Sequence, residues 1–394
     1  MNQLLYEGRT LVGIVSSIIR QDALHVLYSR LDWERMFRIA DAHKVANIVY
    51  LGVLGKGEAL PDKWKERFFE RYQEALLFGE NCDESVREAL TWLDMREISC
   101  IVLTSSSVRD FYSIPETAEN SPIQILLDES QYYLAKGYLI DLGYETDQMY
   151  KGCGERLRRI SGVSIILYHN LPFRTAPYRR GMSRIAETAV IKEPYKNIRM
   201  LPIESEFLFR IAKVTYNYVT DELTLREVLD LLLCHMTWRD EISKESLWKG
   251  LEDFQIKELA EKLLRIAYMW FGDKKENYIQ YFSEGPEDVT VYDILEDRLL
   301  TKGIINNESD TEALRLEKLI EKEIKKEKRK EDGGVFQERM AEYWVNAKRK
   351  LKWVFPDYHY MSSIYPAVKR VPVLLPIFWM MRGMRLLMRI LSSK

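Results

Sequence analysis

The sequence predicts an α+β protein, with a small sheet embedded in a mostly helical chain. Between Ile98 and Asn170, short β-rich apolar runs alternate with helical patterns. On both sides of that block the apolar residues recur at helical spacing instead.

The N-terminal region, residues 1–95, reads as helices. Trp33, Met36, Phe37 and Ala40 share one helical face, with Asp32 placed to cap it. Phe68, Phe69, Tyr72 and Leu76 mark a second helix, and Val86 to Met95 a third. Residues 96–203 form the core block. It reads as a strand, turn and helix over Ile98–Tyr112, a strand over Ile123–Leu127, a helix over Gln131–Leu142 and a strand over Val163–Tyr168. A basic, proline-punctuated connector is expected from Pro172 to Pro202. Helices resume over residues 204–310, where Leu225, Val228, Leu229 and Leu232 make an i, i+3, i+4, i+7 stripe and Leu259–Phe271 carries another. In the last region, residues 311–394, Leu316, Leu319, Ile320 and Ile324 form a narrow apolar face on a highly charged segment. Without sustained heptads, that segment reads as a solvated helix packed on one side, ended at Asp332-Gly333-Gly334.

Composition narrows the function. A formal charge of −2 supplies no global attraction to nucleic acid, so an anion site must be local. The four cysteines, Cys82, Cys100, Cys153 and Cys234, lie far apart, as scattered thiols rather than a disulfide frame or zinc site. The chain opens without the charged-then-apolar pattern of a signal peptide, and a cytoplasmic location is expected.

The core block has the layout used for metal-dependent nucleotidyl transfer. That chemistry sets two acids two apart on one strand, roughly 7 Å from each other on the same face. A third carboxylate from a neighbouring strand completes a site for divalent metal, which polarises the phosphoryl group. A preceding strand-to-helix turn presents backbone N–H groups to the phosphates. Four segments in order, Trp33–Leu54, Leu142–Asp147, Leu225–Leu233 and Val354–Arg385, resemble the bacterial family described as uncharacterised nucleotidyltransferases. The resemblance runs almost end to end and implies a mixed sheet of nucleotidyltransferase type, with Mg2+ and a nucleoside triphosphate as the ligands of an active member.

At the motif positions this chain departs from the family. Where the family reads Leu-Lys-Gly, this chain has Leu103, Thr104 and Ser105. Where it reads Gly-Asp-Ile-Asp-Ile-Leu-Val, this chain has Ser121, Pro122, Ile123, Gln124, Ile125, Leu126 and Leu127. The acid of Val-Glu-Leu-His-Trp falls on Ile166. All the implied metal ligands are therefore replaced, at Pro122, Gln124 and Ile166. Asp128 is a weak substitute, because it lies roughly 13 Å beyond Gln124 along the strand. Capping the next helix suits it better.

Phosphate-binding candidates remain. Thr104, Ser105, Ser106 and Ser107 can offer hydroxyls and N–H groups at a helix start, or act only as a cap. Arg179 and Arg180, with Arg174 and Arg184, form a basic cluster that suits a phosphate or, more plainly, a solvated loop. His169 and the Cys234-His235 pair lack partners at catalytic or metal spacing and read as structural. From Ile377 to Leu391 the chain is apolar except for Gly383, Arg382, Arg385 and Arg389. As a helix it spans about 22 Å, short of the roughly 30 Å hydrocarbon core. It is expected to dock on the protein, with a protein partner or the inner face of a membrane as alternatives.

The leading expectation is a catalytically degenerate nucleotidyltransferase homologue that binds a nucleotide or other phosphate-bearing ligand. The alternatives are an active enzyme moving a nucleoside monophosphate to a sugar, small molecule or protein, and a peripheral membrane or scaffold protein.

Overall fold

The computed structural model describes residues 3–22, 31–54, 60–80, 82–104, 108–118, 122–150, 153–160, 163–173, 175–273, 281–282, 289–302 and 376–377. Five helices lead the chain: α1 (Gln3–Arg20), α2 (Trp33–Ala42), α3 (Ala46–Val53), α4 (Asp62–Glu80) and α5 (Cys82–Met95). Asp32 caps α2 by accepting from the Arg35 amide, and Trp33, Met36, Phe37 and Ala40 are buried, as their spacing predicts.

The sheet follows as β1 (Cys100–Val102), β2 (Ile123–Leu127), β3 (Tyr144–Tyr150), β4 (Gly154–Arg159), β5 (Ser164–Tyr168), β6 (Val190–Ile191) and β7 (Ile198–Met200). Its order is β3-β4-β5-β2-β1-β7-β6. β2 runs parallel to β5 and β1 parallel to β7, while the remaining neighbours are antiparallel, so the sheet is mixed. Helix α6 (Glu129–Asp141) lies between β2 and β3, and α7 (Ala176–Glu187) follows β5. The chain then returns to helices: α8 (Ile203–Val219), α9 (Leu225–Trp238), α10 (Lys244–Phe254), α11 (Lys257–Phe271) and α12 (Val289–Lys302).

Alternation along the strands gives the sheet two apolar faces. Val102, Ile125, Leu127, Ile165 and Leu167 pack against Leu90 and Leu93 of α5 and Ala135 and Leu139 of α6. Ile101, Leu103, Ile166 and Tyr168 belong to the larger core, which includes α1, α2, α8 and α9. The predicted stripe of α9 is fully enclosed, with Leu225, Val228, Leu229 and Leu232 each at 0% exposure. Burying each of those side chains is worth about 1.5–3 kcal/mol. Thr224 accepts from the Glu227 amide and Glu227 reaches back to the Thr224 amide, closing a capping box.

Three expectations need correction. The helix predicted to end at Tyr112 is a short 3-10 turn, Val108–Phe111, followed by another at Pro115–Thr117. Pro115 disfavours α geometry in the residue before it, which helps keep the segment from continuing as one helix. The Pro172–Pro202 connector is folded. Pro177 stands in the first turn of α7, where its missing N–H costs nothing, and Tyr178, Met182 and Ile185 are buried on one side. Its downstream part forms the β6–β7 edge of the sheet. The β3–β4 hairpin was also unexpected, because β3 faces solvent over most of its length and offers no alternating pattern to read. The charged helix at 312–331 and the tail beyond Ile377 lie outside the described residues. Among those described, no helix is long and apolar enough to cross a membrane.

Candidate functional site

A cavity of about 800 Å³ opens between the sheet and helices α8 and α9. Thr104, Pro122, Gln124 and Ile166 all line it, so the motif positions meet at one place. Gln124 on β2 stands directly opposite Ile166 on the parallel strand β5. The same row continues across β4 and β3, where Ile166 faces Arg156 and Arg156 faces Gln148. The row thus reads glutamine, isoleucine, arginine, glutamine across four adjoining strands.

Lys213 of α8 closes the cleft from above. Its ammonium donates to Gln124 Oε1 at 2.8 Å, and the Tyr168 hydroxyl donates to the same oxygen at 3.1 Å. Gln124 is fixed further where its backbone N–H donates to Thr104 Oγ1 at 3.3 Å. Burial pushes the Lys213 ammonium down to about 8. Glu227 opposes that shift, whereas Lys44, Arg210 and Arg156 reinforce it. Glu227 is the strongest single charged neighbour of Lys213, and three cations stand against it.

The remaining charges are largely committed. Arg210 is bound to Glu206 at 2.6 Å. Arg226 is almost wholly enclosed and donates to the Tyr112 hydroxyl, the Thr117 and Lys44 carbonyls and Asn47 Oδ1. Tyr112 in turn donates to Asp230. Glu227 accepts from Asn217 at 2.7 Å besides serving the capping box, which ties α8 to α9 across the cleft. Arg156 is held more loosely. Its Nε lies 3.5 Å from Asp147 without a hydrogen-bonded partner, and its Nη2 donates to Ser164 Oγ at 3.3 Å.

The other sequence candidates fall elsewhere. Asp128 occupies the N-cap position of α6, where its backbone carbonyl accepts from Gln131 and Tyr132. Its exposed side chain makes no capping bond and is not among the residues lining the cavity. Arg179 and Arg180 sit on α7, also away from the cavity wall, and Arg179 donates to Asn170 Oδ1 at 3.2 Å. Ser105, Ser106, Ser107 and Arg174 lie outside the described residues. His169 packs edge-on against Tyr132. His235 is buried with Nδ1 2.7 Å from the Tyr268 hydroxyl, a structural pairing.

A buried acid does occur in the core block, on the wrong face. Glu155 of β4 is opposite Leu167, which belongs to the core on the α6 side. Burial works against its charge, but bonds from Lys136, Tyr132 and Thr146 outweigh that and hold the carboxyl below its usual range. Among the described residues, no cluster of three His, Cys, Asp or Glu side chains could hold a metal ion.

The sequence model of the family described as uncharacterised nucleotidyltransferase matches residues 29–272. The chain belongs to that family. The matched segment runs from before α2 to the end of α11, so this nucleotidyltransferase-family chain keeps both the sheet and the helical wall of the cleft within the family region. Neither a curated protein nor a solved structure matches the chain.

Lys213 and Arg156 were not singled out from sequence, although a signal existed for the lysine. Residues Phe207, Phe209, Ile211, Ala212 and Val214 of α8 are all buried. A helix apolar on so many sides carries a lysine in its middle only where a partner or a cavity receives it. Arg156 gave no such signal, because it stands among Arg158 and Arg159 in a strand that was not foreseen.

Proposed function

We propose that this family member has given up metal-dependent nucleotidyl transfer and serves as a binding module for a phosphate-bearing ligand. The observation that carries this reading is the bond from the Lys213 ammonium to Gln124. Gln124 stands at a motif position where the family has an acid. In an active cleft a carboxylate there faces a divalent cation; here a neutral amide faces a cation of the chain's own. Lys213, Arg156 and Lys44 repel a metal ion and attract an anion, and no carboxylate at Pro122, Gln124 or Ile166 offsets them.

Isothermal titration of the full chain with the nucleoside monophosphates and with ATP, CTP, GTP and UTP, with and without magnesium, tests the reading. Binding of one or more nucleotides that is equal in magnesium and in chelator is expected. Binding that requires magnesium would restore the enzymatic reading and direct attention to carboxylates elsewhere in the chain. Absence of binding would leave the fold as a scaffold, with the segment Ile377 to Leu391 as the place to look for a protein or membrane partner.

A further inference from the structure

We infer that the ligand of this cavity is an organic phosphate monoester, its single phosphate seated between Lys213 and Arg156 above Ile166. This deepens the proposed function and rests on it. The placement follows from strand register. Gln124, Ile166 and Arg156 lie side by side on β2, β5 and β4. Neighbouring strands are about 4.8 Å apart, so the Cα atoms of Gln124 and Arg156 are separated by about 10 Å. The ammonium of Lys213 rests on Gln124 at one end of that span, and the guanidinium of Arg156 rises at the other. Ile166 between them supplies an apolar floor that competes with neither cation. Two cations on either side of such a floor suit one tetrahedral anion, which accepts from both.

Charge decides between one phosphate and three. A phosphate monoester carries about −1.5 to −2 at neutral pH, which Lys213 and Arg156 can meet once Arg156 exchanges its loose 3.5 Å contact with Asp147 for the phosphate. Arg210 and Arg226 are already engaged with Glu206 and with the Tyr112–Asp230 pair. The same wall carries Asp83, Glu222, Glu227 and Asp230, against which further phosphates would lie without a metal to screen them. Triphosphate chemistry requires that screening; a lone phosphate does not.

The rest of the cavity selects for an organic substituent. Tyr150 and Tyr216 border it as partly exposed rings, and the buried Phe173 behind them meets Tyr216 edge to face at 5.2 Å between ring centres. Aromatic rings in a cavity of about 800 Å³ bury a nucleoside- or sugar-sized body, within the range of roughly 300–1,000 Å³ common for such ligands. Inorganic phosphate fills only the polar corner.

The test is calorimetry of the full chain in chelator at neutral pH. The probes are AMP, CMP, GMP, UMP and glucose 1-phosphate, each nucleoside triphosphate, adenosine and inorganic phosphate. At least one monoester is expected to bind tenfold or more tightly than its triphosphate, than adenosine and than phosphate. Arg156→Gln and Lys213→Met should each weaken that monoester tenfold or more. Ile166→Glu, which places a carboxylate between the two cations, should abolish binding while thermal melting shows the fold intact. Triphosphates binding as well as monoesters would overturn this inference and leave the proposed function standing, as would an Arg156→Gln variant that binds normally. Failure of every phosphate ester to bind would overturn both, and so would a requirement for magnesium.

Discussion

Lys213 on α8 and Gln124 on β2 are joined by a 2.8 Å hydrogen bond that crosses the cleft from helical wall to sheet. The amide oxygen accepts from the ammonium and from Tyr168 together, so this buried position on the cavity wall is held from two directions. A glutamine side chain offers that oxygen two lone pairs, and both are used. The carboxamide orientation is thereby set by its surroundings rather than by a ligand.

An acid placed at this position should not create a metal site. In Gln124→Asp the new carboxylate pairs with Lys213, whose ammonium then titrates above its present value of about 8. Magnesium titration should give no heat for this variant. Lysine side-chain NMR should show the raised titration. A magnesium-dependent heat would contradict the view that Lys213 guards the site.

Lys213 also makes stability depend on pH in a particular direction. Its folded value of about 8 lies below the ordinary 10.5. Between those values the unfolded chain holds a proton that the folded chain lacks, so this group's contribution improves as pH rises from 8 to 10.5. Below pH 8 its cost is fully present, about 1–2 kcal/mol after allowance for solvent reaching the open cavity. Lys213→Met should therefore be the more stable protein at pH 7, with the advantage disappearing toward pH 10.5. Denaturant melts of both proteins across that window provide the check, and parallel curves would refute the assignment.

His43 controls the opposite limb. It is buried at 1% exposure, and its Nδ1 accepts from the Leu225 amide at 3.3 Å, which joins the end of α2 to the start of α9. Burial pushes the imidazole down from 6.5 to about 4. Here too the folded value is depressed, so the stabilisation is present above pH 6.5 and is lost as pH falls through 4, about 3 kcal/mol in all. Acid unfolding of His43→Leu should lack this slope, although the variant starts lower because the Leu225 amide loses its acceptor. Equal slopes between pH 6.5 and 4 would show that another group governs the transition.

Gly154 begins β4 beside the cavity. A Cβ added there would stand 1.9 Å from the Leu167 carbonyl oxygen, a backbone atom that cannot swing aside. Gly154→Ala should separate β4 from β5 at this end and destabilise the fold by about 3 kcal/mol or more. It should also weaken any ligand that touches Arg156. A thermal melt unchanged from the parent would show that the strands part more easily than their register suggests.

The helices were legible because their apolar residues repeat at a period that burial enforces. The stripe at Leu225, Val228, Leu229 and Leu232 and the cap at Asp32 both stand where the sequence places them. β2 and β5 were legible as apolar runs between turns. The β3–β4 hairpin was not, since five successive residues of β3 are exposed and alternation cannot appear without a buried face. For the cleft, the motif positions Gln124 and Ile166 could be read from local sequence, and the register of β2 and β5 sets them side by side. Lys213 could not, because it lies 89 residues beyond its partner and only the packing of α8 over the sheet brings the two together.

The capping box at the start of α9 reaches beyond helix initiation. Glu227 serves Thr224 and Asn217 at once while its charge supports Lys213 as a cation. One carboxylate thus braces the junction of α8 and α9, so a substitution at Glu227 should be felt at the helix start, at the contact between the two helices and in the proton affinity of Lys213 together.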